Sequence, residues 1–196
     1  MKCWKFASSP NSNVIVTGAY SILIYDIEKK QTIKEVDNRS KYCYSLKFIS
    51  DNIIAVGNSN GSIGIYNIDT HKFTNKIEEH CLTVRALEYN KNNNQLYSAS
   101  DDLHINIIDA NKFKVVSPMV GHKDNISTLV YNEDKNLLFS GSFDGCIKVW
   151  DPRANVKNIA TLSESKGNMI WDVAVNKEGN CVVYCGEEMI GAYIIS

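Results

Sequence analysis

Short runs of alternating apolar and polar residues recur along the whole chain, and turn-forming residues separate them. The clearest pair lies in Leu137 to Asp151, where an apolar run leads into a turn at Asp144-Gly145 and a second alternating run follows to Trp150. Two runs with a period of two that flank an Asp-Gly turn predict a β-hairpin. No window of helical length carries a period of 3.6 residues. The pattern therefore predicts an all-β protein.

This hairpin is one unit of a repeat. The residue that ends the third run of each unit recurs at steps of 41, 42, 42 and 44, at Tyr25, Tyr66, Ile108, Trp150 and Ile194. The residue that ends the first run follows the same period, at Phe6, Phe48, Tyr89, Tyr131 and Val175. Four antiparallel strands in about 40 to 45 residues match a β-propeller blade, which buries its two faces only against neighbouring blades.

The repeat divides residues 1–196 into five predicted blades, at roughly 1-40, 41-80, 81-122, 123-166 and 167-196. The first blade begins with a predicted strand at Trp4, and the outer strand of the fourth is predicted from Val156 to Leu162. The fifth blade lacks an outer strand. No linker or low-complexity segment separates the blades, so we expect a single propeller domain.

Composition and charge restrict the class of function. The formal net charge is −1, with 21 Lys and Arg against 22 Asp and Glu, which argues against a nucleic-acid or membrane surface built on bulk charge. The sequence has no apolar run long enough to span a bilayer and no recognisable signal peptide. Six cysteines then indicate free thiols in a reducing compartment, the cytoplasm and also the nucleus. Cys43, Cys146 and Cys181 are predicted to be buried small side chains.

At the fourth blade the residues resemble a WD repeat, with Gly121-His122 before the innermost strand and Trp150-Asp151 at the end of the third. In that family a histidine, a second-strand Ser or Thr, a turn Asp and the Trp indole form one hydrogen-bonded set. The resemblance implies this set for His122, Ser140, Asp144 and Trp150. A buried carboxylate requires such donors.

The other blades keep only parts of this pattern. The third has His80, Ser98 and Asp102 but Ile108 in place of the Trp, so its set is expected to be incomplete. The second blade has Asn60 in place of the Asp and Tyr66-Asn67 in place of Trp-Asp; the first keeps Tyr25-Asp26 after a turn two residues shorter; the fifth has Glu187-Glu188 near its turn.

A narrower resemblance rests on short sequence segments and on the order of the blades. The segments TVRALEYNKNNNQLYSASDDLHINIIDANKF, CWKFASSPNSNVIVTG and IWDVAVN are similar to the WD-repeat subunits of superkiller complexes. The resemblance implies a seven-bladed, non-catalytic scaffold that binds short peptide segments of partner subunits and supports RNA decay. Against seven blades, we expect the chain to be a fragment that lacks two N-terminal blades and the closing strand; the alternative is a small closed ring of five blades without that strand.

Two alternatives stay open at this point. The first is a WD-repeat subunit of a different nuclear or cytoplasmic complex, such as one acting in transcription elongation or on chromatin. The second is an RNA-binding propeller, which would need a basic patch on one face.

No motif points to catalysis, a metal or a cofactor. The chain has neither a G-x-S-x-G nucleophile motif nor a P-loop, and the glycines of Gly186 to Gly191 lack the Lys-Ser/Thr that binds phosphate. Cys181 and Cys185 share one strand face about 13 Å apart, too far for one metal ion. We therefore predict no catalytic residues, no metal and no cofactor.

A protein-binding surface remains. In WD-repeat propellers, partner peptides often dock on the face that carries the loops before each innermost strand and the turns between second and third strands. The candidate contact residues at or beside such loops are Tyr42, Arg85, Asp101, Asn125, Phe143 and Trp171. Aromatic residues and arginine are the usual anchors of such interfaces. The alternative is that several of them, Trp171 above all, pack between blades.

Overall fold

The computed structural model describes residues 5–11, 13–38, 41–154, 158–163, 168–187 and 190–195. These ranges contain nineteen strands and no helix. The predicted positions Trp4, Val156 and Glu188 lie outside them. Within the described ranges no helix is long and apolar enough to cross a membrane.

The strands form five sheets. The first contains β1 (Lys5–Ser8), β2 (Val14–Gly18), β3 (Ser21–Asp26) and β4 (Gln31–Asp37). The second contains β5 (Cys43–Phe48), β6 (Ile53–Asn58), β7 (Ile63–Asn67) and β8 (Lys72–Ile77). The third contains β9 (Val84–Asn90), β10 (Gln95–Ser100), β11 (His104–Asp109) and β12 (Lys114–Val120). The fourth contains β13 (Ile126–Asn132), β14 (Leu137–Ser142), β15 (Cys146–Trp150) and β16 (Ala160–Ser163), and the fifth β17 (Ile170–Val175), β18 (Cys181–Gly186) and β19 (Ile190–Ile194).

Each sheet is an antiparallel meander in chain order, as expected of a propeller blade. The first strands of consecutive sheets, β1, β5, β9, β13 and β17, pack against one another in that order. They line a central cavity of about 520 Å³. The prediction of an all-β propeller is confirmed, and the sheets are called blades one to five below.

Hydrophobic packing between the blades forms the core. Four clusters of buried residues lie at the four junctions between consecutive blades, and each takes side chains from both. Because the middle strands β6, β10 and β14 bury nearly every residue, they carry apolar or small side chains on both faces. Burying one large aliphatic or aromatic side chain contributes about 1.5–3 kcal/mol, so each junction rests on many such contributions.

Two glycines allow neighbouring blades to approach closely. A Cβ atom on Gly57 would lie 2.1 Å from Ser45 Oγ and 2.8 Å from Val84 Cγ1 of the next blade. A Cβ atom on Gly141 would lie 2.7 Å from Ile170 Cγ2, also in the next blade. A larger residue at either position would push the innermost strand of the following blade away from its neighbour.

The register of blades one and five differs from the predicted register. In blade four Tyr131, Leu138 and Trp150 lie side by side across the first three strands, as the repeat predicts. In blade one the equivalent first-strand residue is Ser8 and not Phe6, because the hairpin before Tyr25 is two residues shorter. In blade five Tyr193 and not Ile194 takes the position of Trp150, because the β18–β19 hairpin is one residue shorter.

The cysteine prediction is correct at one of three positions. Cys43 is fully buried between blades one and two. Cys146 and Cys181 are only half-buried, because Cys146 lies at the edge of a turn and Cys181 lies on the open face of blade five.

Tyr66 provides a test of polar burial in blade two. It takes the position of the Trp, packs edge-on against Phe73 with a centroid distance of 5.1 Å, and is fully buried. Among the described residues its hydroxyl has no hydrogen-bond partner. An unpaired buried hydroxyl costs roughly 1–3 kcal/mol. Tyr66→Phe is therefore expected to leave the free energy of unfolding unchanged or to raise it, as measured by denaturant titration.

Tyr97 is the matched control for this substitution. It is equally buried, but its hydroxyl lies 3.0 Å from Gln95 Oε1 and 3.4 Å from Asn90 Nδ2. Tyr97→Phe should therefore lower the free energy of unfolding by about 1 kcal/mol. Equal losses for the two variants would show that the Tyr66 hydroxyl is also hydrogen-bonded.

Candidate functional site

The buried polar side chains of blade four form one hydrogen-bonded chain. Trp150 Nε1 donates to Ser140 Oγ at 2.8 Å, and Ser140 Oγ lies 2.7 Å from His122 Nε2. His122 Nδ1 lies 2.9 Å from Asp144 Oδ2. These hydrogen bonds join the loop before β13 to the β14–β15 turn and to the end of β15. It therefore fixes the position of that turn.

Burial and hydrogen bonding set the protonation states of this chain. Burial lowers the pKa of His122 below its usual 6.5, so the imidazole is neutral. Its Nδ1–H then donates to Asp144, and its Nε2 accepts from the Ser140 hydroxyl. Burial alone would raise the pKa of Asp144, but hydrogen bonds from His122 and the Lys123 N–H outweigh it and hold that pKa at about 2.

Blade three has a related set without the indole. His80 Nδ1 lies 2.8 Å from Asp102 Oδ2, and His80 Nε2 lies 2.8 Å from Ser98 Oγ. Ile108 occupies the Trp position, and Asn106 Nδ2 approaches His80 Nε2 at 3.3 Å in place of an indole donor to the serine. Burial alone would raise the pKa of Asp102, but the hydrogen bond from His80 lowers it, and the result is again about 2.

Blade two replaces the charged set with side-chain amides. Asn38, at the position of the histidine, donates from Nδ2 to Asn58 Oδ1 at 2.8 Å. Asn58 Nδ2 donates to Ser62 Oγ at 3.1 Å, and Ser62 Oγ donates to Asn60 Oδ1 at 2.8 Å. This set was not predicted from the sequence. The repeat could have identified it, because Asn38 lies 42 residues before His80, which is one repeat length.

A continuous line of aromatic rings and one guanidinium lies beside these turns. Its members are Tyr20, Tyr42, Tyr44, Arg85, Phe143 and Trp171, called the aromatic–arginine row below. The ring centroids of Tyr20 and Tyr42 are 4.7 Å apart, and those of Tyr42 and Tyr44 are 5.1 Å apart. Arg85 Cζ lies 5.6 Å from the Tyr44 centroid and 5.4 Å from that of Phe143. Phe143 contacts Trp171 edge-on at 4.9 Å. All five blades contribute to the row.

An ion pair holds the arginine at the centre of the row. Arg85 Nη2 donates to Asp101 Oδ2 at 2.9 Å, and Arg85 Nε donates to Asp101 Oδ1. This bidentate geometry fixes the guanidinium plane between the Tyr44 and Phe143 rings. The rings at the two ends stay open to solvent, since Tyr20 is 70% exposed and Trp171 is 49% exposed.

Two local features place these side chains. Tyr44, Arg85 and Trp171 each lie at a register shift near the start of an innermost strand, between residues that pair regularly. Such β-bulges turn a side chain away from the regular face of the sheet. Tyr20 and Phe143 lie in the turns between the second and third strands of blades one and four. Five members of the row thus repeat two positions of the blade, and the sixth, Tyr42, lies in the loop before β5.

The structure brings most of the predicted contact residues together. Tyr42, Arg85, Phe143 and Trp171 lie in the row, and Asp101 orients Arg85. Asn125 lies outside the row, and its backbone carbonyl accepts a 2.9 Å hydrogen bond from the Phe143 N–H. Tyr20 and Tyr44 were missed. Tyr44 lies one repeat length, 41 residues, before Arg85, and this spacing could have identified it.

Polar side chains in the central cavity pair across neighbouring blades. Lys47 Nζ and Glu88 Oε2 form an ion pair of 2.6 Å between blades two and three. Burial raises the pKa of Glu88, and Lys47 opposes that shift. Thr128 Oγ1 donates to Asp172 Oδ1 at 2.7 Å between blades four and five. These contacts tie neighbouring blades together. No cluster of His, Cys, Asp or Glu in the described ranges could hold a metal ion.

Comparison with known proteins identifies the repeats. The family model described as "WD domain, G-beta repeat" (WD40) matches residues 71–109 and 113–151. Each match begins on the outer strand of one blade and ends on the third strand of the next, so one sequence repeat connects two blades. The chain is therefore similar to WD40 repeats over residues 71–109 and 113–151.

A curated relative with the same class of repeat is also found. WD repeat-containing protein SL1-17 from Schistosoma mansoni is 28% identical over 118 residues, which are 59% of this chain and 39% of that protein. The matched region thus spans about two fifths of the relative's length. The chain is similar to a distant WD repeat-containing protein.

Asp144 allows the hydrogen-bonded chain of blade four to be tested. Asp144→Asn keeps the side-chain volume but removes a charged acceptor of His122 and two backbone N–H groups. We expect a loss of roughly 1.5–3 kcal/mol in the free energy of unfolding at pH 7. Urea unfolding measures it. Asp134→Asn, in an exposed turn, is the matched control and should change little.

The pH dependence gives a second readout for the same variant. The folded pKa of Asp144, about 2, lies below the ordinary Asp value of 3.8, so its stabilisation is present above pH 4 and is lost as the pH falls toward 2. The difference in the free energy of unfolding between wild type and Asp144→Asn should therefore decrease by about half between pH 5 and pH 3. A constant gap over this range would contradict the assigned role of the carboxylate.

Proposed function

We propose that this protein is a non-catalytic protein-interaction scaffold and that the aromatic–arginine row binds an extended peptide segment of a partner. WD40 repeats in general form protein-interaction scaffolds, which supports the first part. The row supports the second part. It joins all five blades in one line and combines aromatic residues with arginine, the residue types enriched in binding hot spots.

The dimensions and chemistry of the row suit an extended segment. Its contour through six groups is roughly 25 Å, which equals seven or eight residues at ~3.3 Å per residue. The rings offer large rigid contact area at low entropic cost. Within the described residues, Arg85 Nη1 makes no hydrogen bond, so it can donate to a backbone carbonyl or carboxylate of the peptide.

We propose a protein partner rather than RNA or a membrane. Aromatic rings also stack on bases, but single-strand binding usually combines them with a groove of unpaired cations. Here the central cation is neutralised by Asp101, and the formal net charge of the chain is −1. A peptide that offers apolar side chains and backbone carbonyls matches these groups better than a polyanion does.

The narrower proposal names the complex. The sequence resemblance to WD-repeat subunits of superkiller complexes supports a role in RNA decay through partner subunits, with the protein in the cytoplasm and also in the nucleus. In this proposal the row binds short segments of those subunits, and the protein itself carries no catalytic residue. A transcription-elongation or chromatin complex is the alternative assignment, which the identity of the captured partners decides.

Phe143→Ala is the test of the row. Affinity-tagged wild type and variant are used to capture partners from cells, and captured proteins are identified by mass spectrometry and titrated individually. We expect at least a tenfold loss of affinity for the direct partner, because truncation of a hot-spot aromatic typically costs 2 kcal/mol or more. Val116→Ala, an exposed aliphatic residue on β12, is the matched control and should bind like wild type.

The outcomes separate the two levels of the proposal. Equal capture by Phe143→Ala and wild type would overturn the row as the binding surface. Partners from another complex would overturn the RNA-decay assignment but leave the scaffold proposal intact. Tight, strongly salt-dependent binding of single-stranded RNA that Phe143→Ala abolishes would replace the peptide proposal with the RNA-binding alternative.

A further inference from the structure

The turn between β6 and β7 contains the only Asn-Gly dipeptide of the 196-residue chain, Asn60-Gly61. Asn60 is exposed to solvent, whereas Gly61 is buried. Asparagine is a chemically labile residue, and it reacts most readily before glycine, because glycine has no side chain that shields its backbone nitrogen from the neighbouring amide. Among the asparagines of the chain, Asn60 is therefore the one whose sequence favours spontaneous modification.

Packing between blades two and three requires the glycine of this pair. Gly61 has a φ of 83°, in the left-handed region, and a Cβ atom there would lie 2.2 Å from the carbonyl oxygen of His80. A residue with a side chain would therefore be strained and would collide with the loop before β9. The reactive dipeptide is thus a consequence of how the two blades meet.

Asn60 occupies the position that an aspartate takes in blades three and four. Its Oδ1 accepts a hydrogen bond from the Ser62 N–H at 3.4 Å, and the equivalent bonds to Asp102 and Asp144 are 3.1 Å and 3.0 Å long. The second oxygen of each aspartate is bonded to a histidine, and both side chains are little exposed. Asn38, in the histidine position of blade two, donates elsewhere. The Asn60 amide is therefore held on one side only.

The contacts of the Asn60 amide favour attack on its carbonyl carbon. Ser62 Oγ donates to Asn60 Oδ1 at 2.8 Å, which draws electron density away from Cγ. Within the described residues Asn60 Nδ2 makes no hydrogen bond, so this nitrogen is free to leave. One contact opposes the reaction, since the Gly61 N–H donates to the Asn58 carbonyl at 3.2 Å. The turn must open before the nitrogen attacks, so the folded chain should react more slowly than the unfolded chain.

We propose that Asn60 deamidates in the folded protein and that its isoaspartate form loosens the turn between β6 and β7. The Gly61 nitrogen attacks Asn60 Cγ and gives up its proton as the new N–Cγ bond forms. The Cγ–Nδ2 bond breaks, the amide nitrogen leaves as ammonia, and a succinimide ring remains. Water then opens the ring at Cγ to give aspartate, or at the backbone carbonyl carbon to give isoaspartate. The turn gains one negative charge, and no group is oxidised or reduced.

The two products differ in their effect on the turn. Aspartate leaves the main chain unchanged and places a carboxylate where blades three and four have one, with the Ser62 hydroxyl and N–H as donors. Isoaspartate adds a methylene group to the main chain directly after Ser59. The Ser59 N–H donates to the Tyr42 carbonyl at 2.9 Å, and the Tyr42 N–H donates to Ser59 Oγ at 3.3 Å. Isoaspartate should therefore displace Tyr42, a member of the aromatic–arginine row.

The related dipeptide Asp144-Gly145 in blade four provides a contrast. Aspartate before glycine can form the same succinimide, but an ionised carboxylate is a poor target for a nucleophile. Hydrogen bonds from His122 and the Lys123 N–H hold the pKa of Asp144 at about 2, so this carboxylate is ionised at neutral pH. Asp144 should therefore stay unmodified under conditions in which Asn60 reacts.

The test is incubation of the folded 196-residue chain at pH 8 in water labelled with heavy oxygen, followed by tryptic digestion and mass spectrometry. We expect residue 60 to take up one labelled oxygen atom at least tenfold faster than Asn52, which lies in the same tryptic peptide but precedes Ile53. The rate should rise with pH, because the Gly61 nitrogen attacks after losing its proton. In the fraction that contains isoaspartate, the Tyr42 and Ser59 amides should exchange hydrogen at least tenfold faster.

Two variants serve as controls. Asn60→Gln keeps an amide but needs a larger ring, so labelling at residue 60 should stop. Asn60→Asp reproduces the aspartate product and should keep the slow exchange of Tyr42 and Ser59. Labelling of residue 60 only after unfolding in urea, or at the rate of Asn52, would overturn the proposed deamidation. Isoaspartate at residue 60 without faster exchange of Tyr42 would overturn the proposed loosening of the turn. Neither readout depends on the proposed binding of a partner peptide.

Discussion

Face-to-face packing between blades is the interaction on which every other feature of this structure depends. A single blade of three or four strands has two faces and cannot bury either of them by itself. The four junction clusters provide that burial, and at two of the junctions Gly57 and Gly141 let the innermost strand of the following blade approach closely. Because the row takes its members from five blades, its spacing depends on this packing as well as on the local bulges and turns.

The buried polar sets connect stability to the aromatic–arginine row, the proposed binding surface. Phe143 directly precedes Asp144, and the Asp144 N–H donates to Ser142 Oγ at 3.1 Å while its carboxylate accepts from His122. Asp101 precedes Asp102 in the same way, and the Asp102 N–H donates to Ser100 Oγ at 3.1 Å. Asp101 and Phe143, two of the residues that contact Arg85, are therefore held by backbone that the buried carboxylates fix. A substitution in these sets is expected to disturb the geometry of the row even where the residues of the row are themselves unchanged.

The period of the sequence predicted the fold class and the alignment of the middle blades, because the hairpins between second and third strands have one length in blades two to four. It could not predict the register of blades one and five. There the hairpins are two residues and one residue shorter, so Ser8 and Tyr193 take the positions assigned to Phe6 and Ile194. The amide set around Asn58 was also missed, because asparagine is common in turns and only its partners show that it replaces a charged set.

The bulge position explains why Phe143 is central to the row. In blades two, three and five the bulged residue is Tyr44, Arg85 or Trp171. In blade four it is Ser127, whose hydroxyl lies 3.0 Å from the Gly141 carbonyl and 2.6 Å from that of Ile170. The bulged residue of blade four therefore takes part in packing between blades and not in the row. Without another side chain there, a gap would separate Arg85 from Trp171. Phe143 fills this gap from the neighbouring turn and contacts both, so the continuity of the row depends on this one ring.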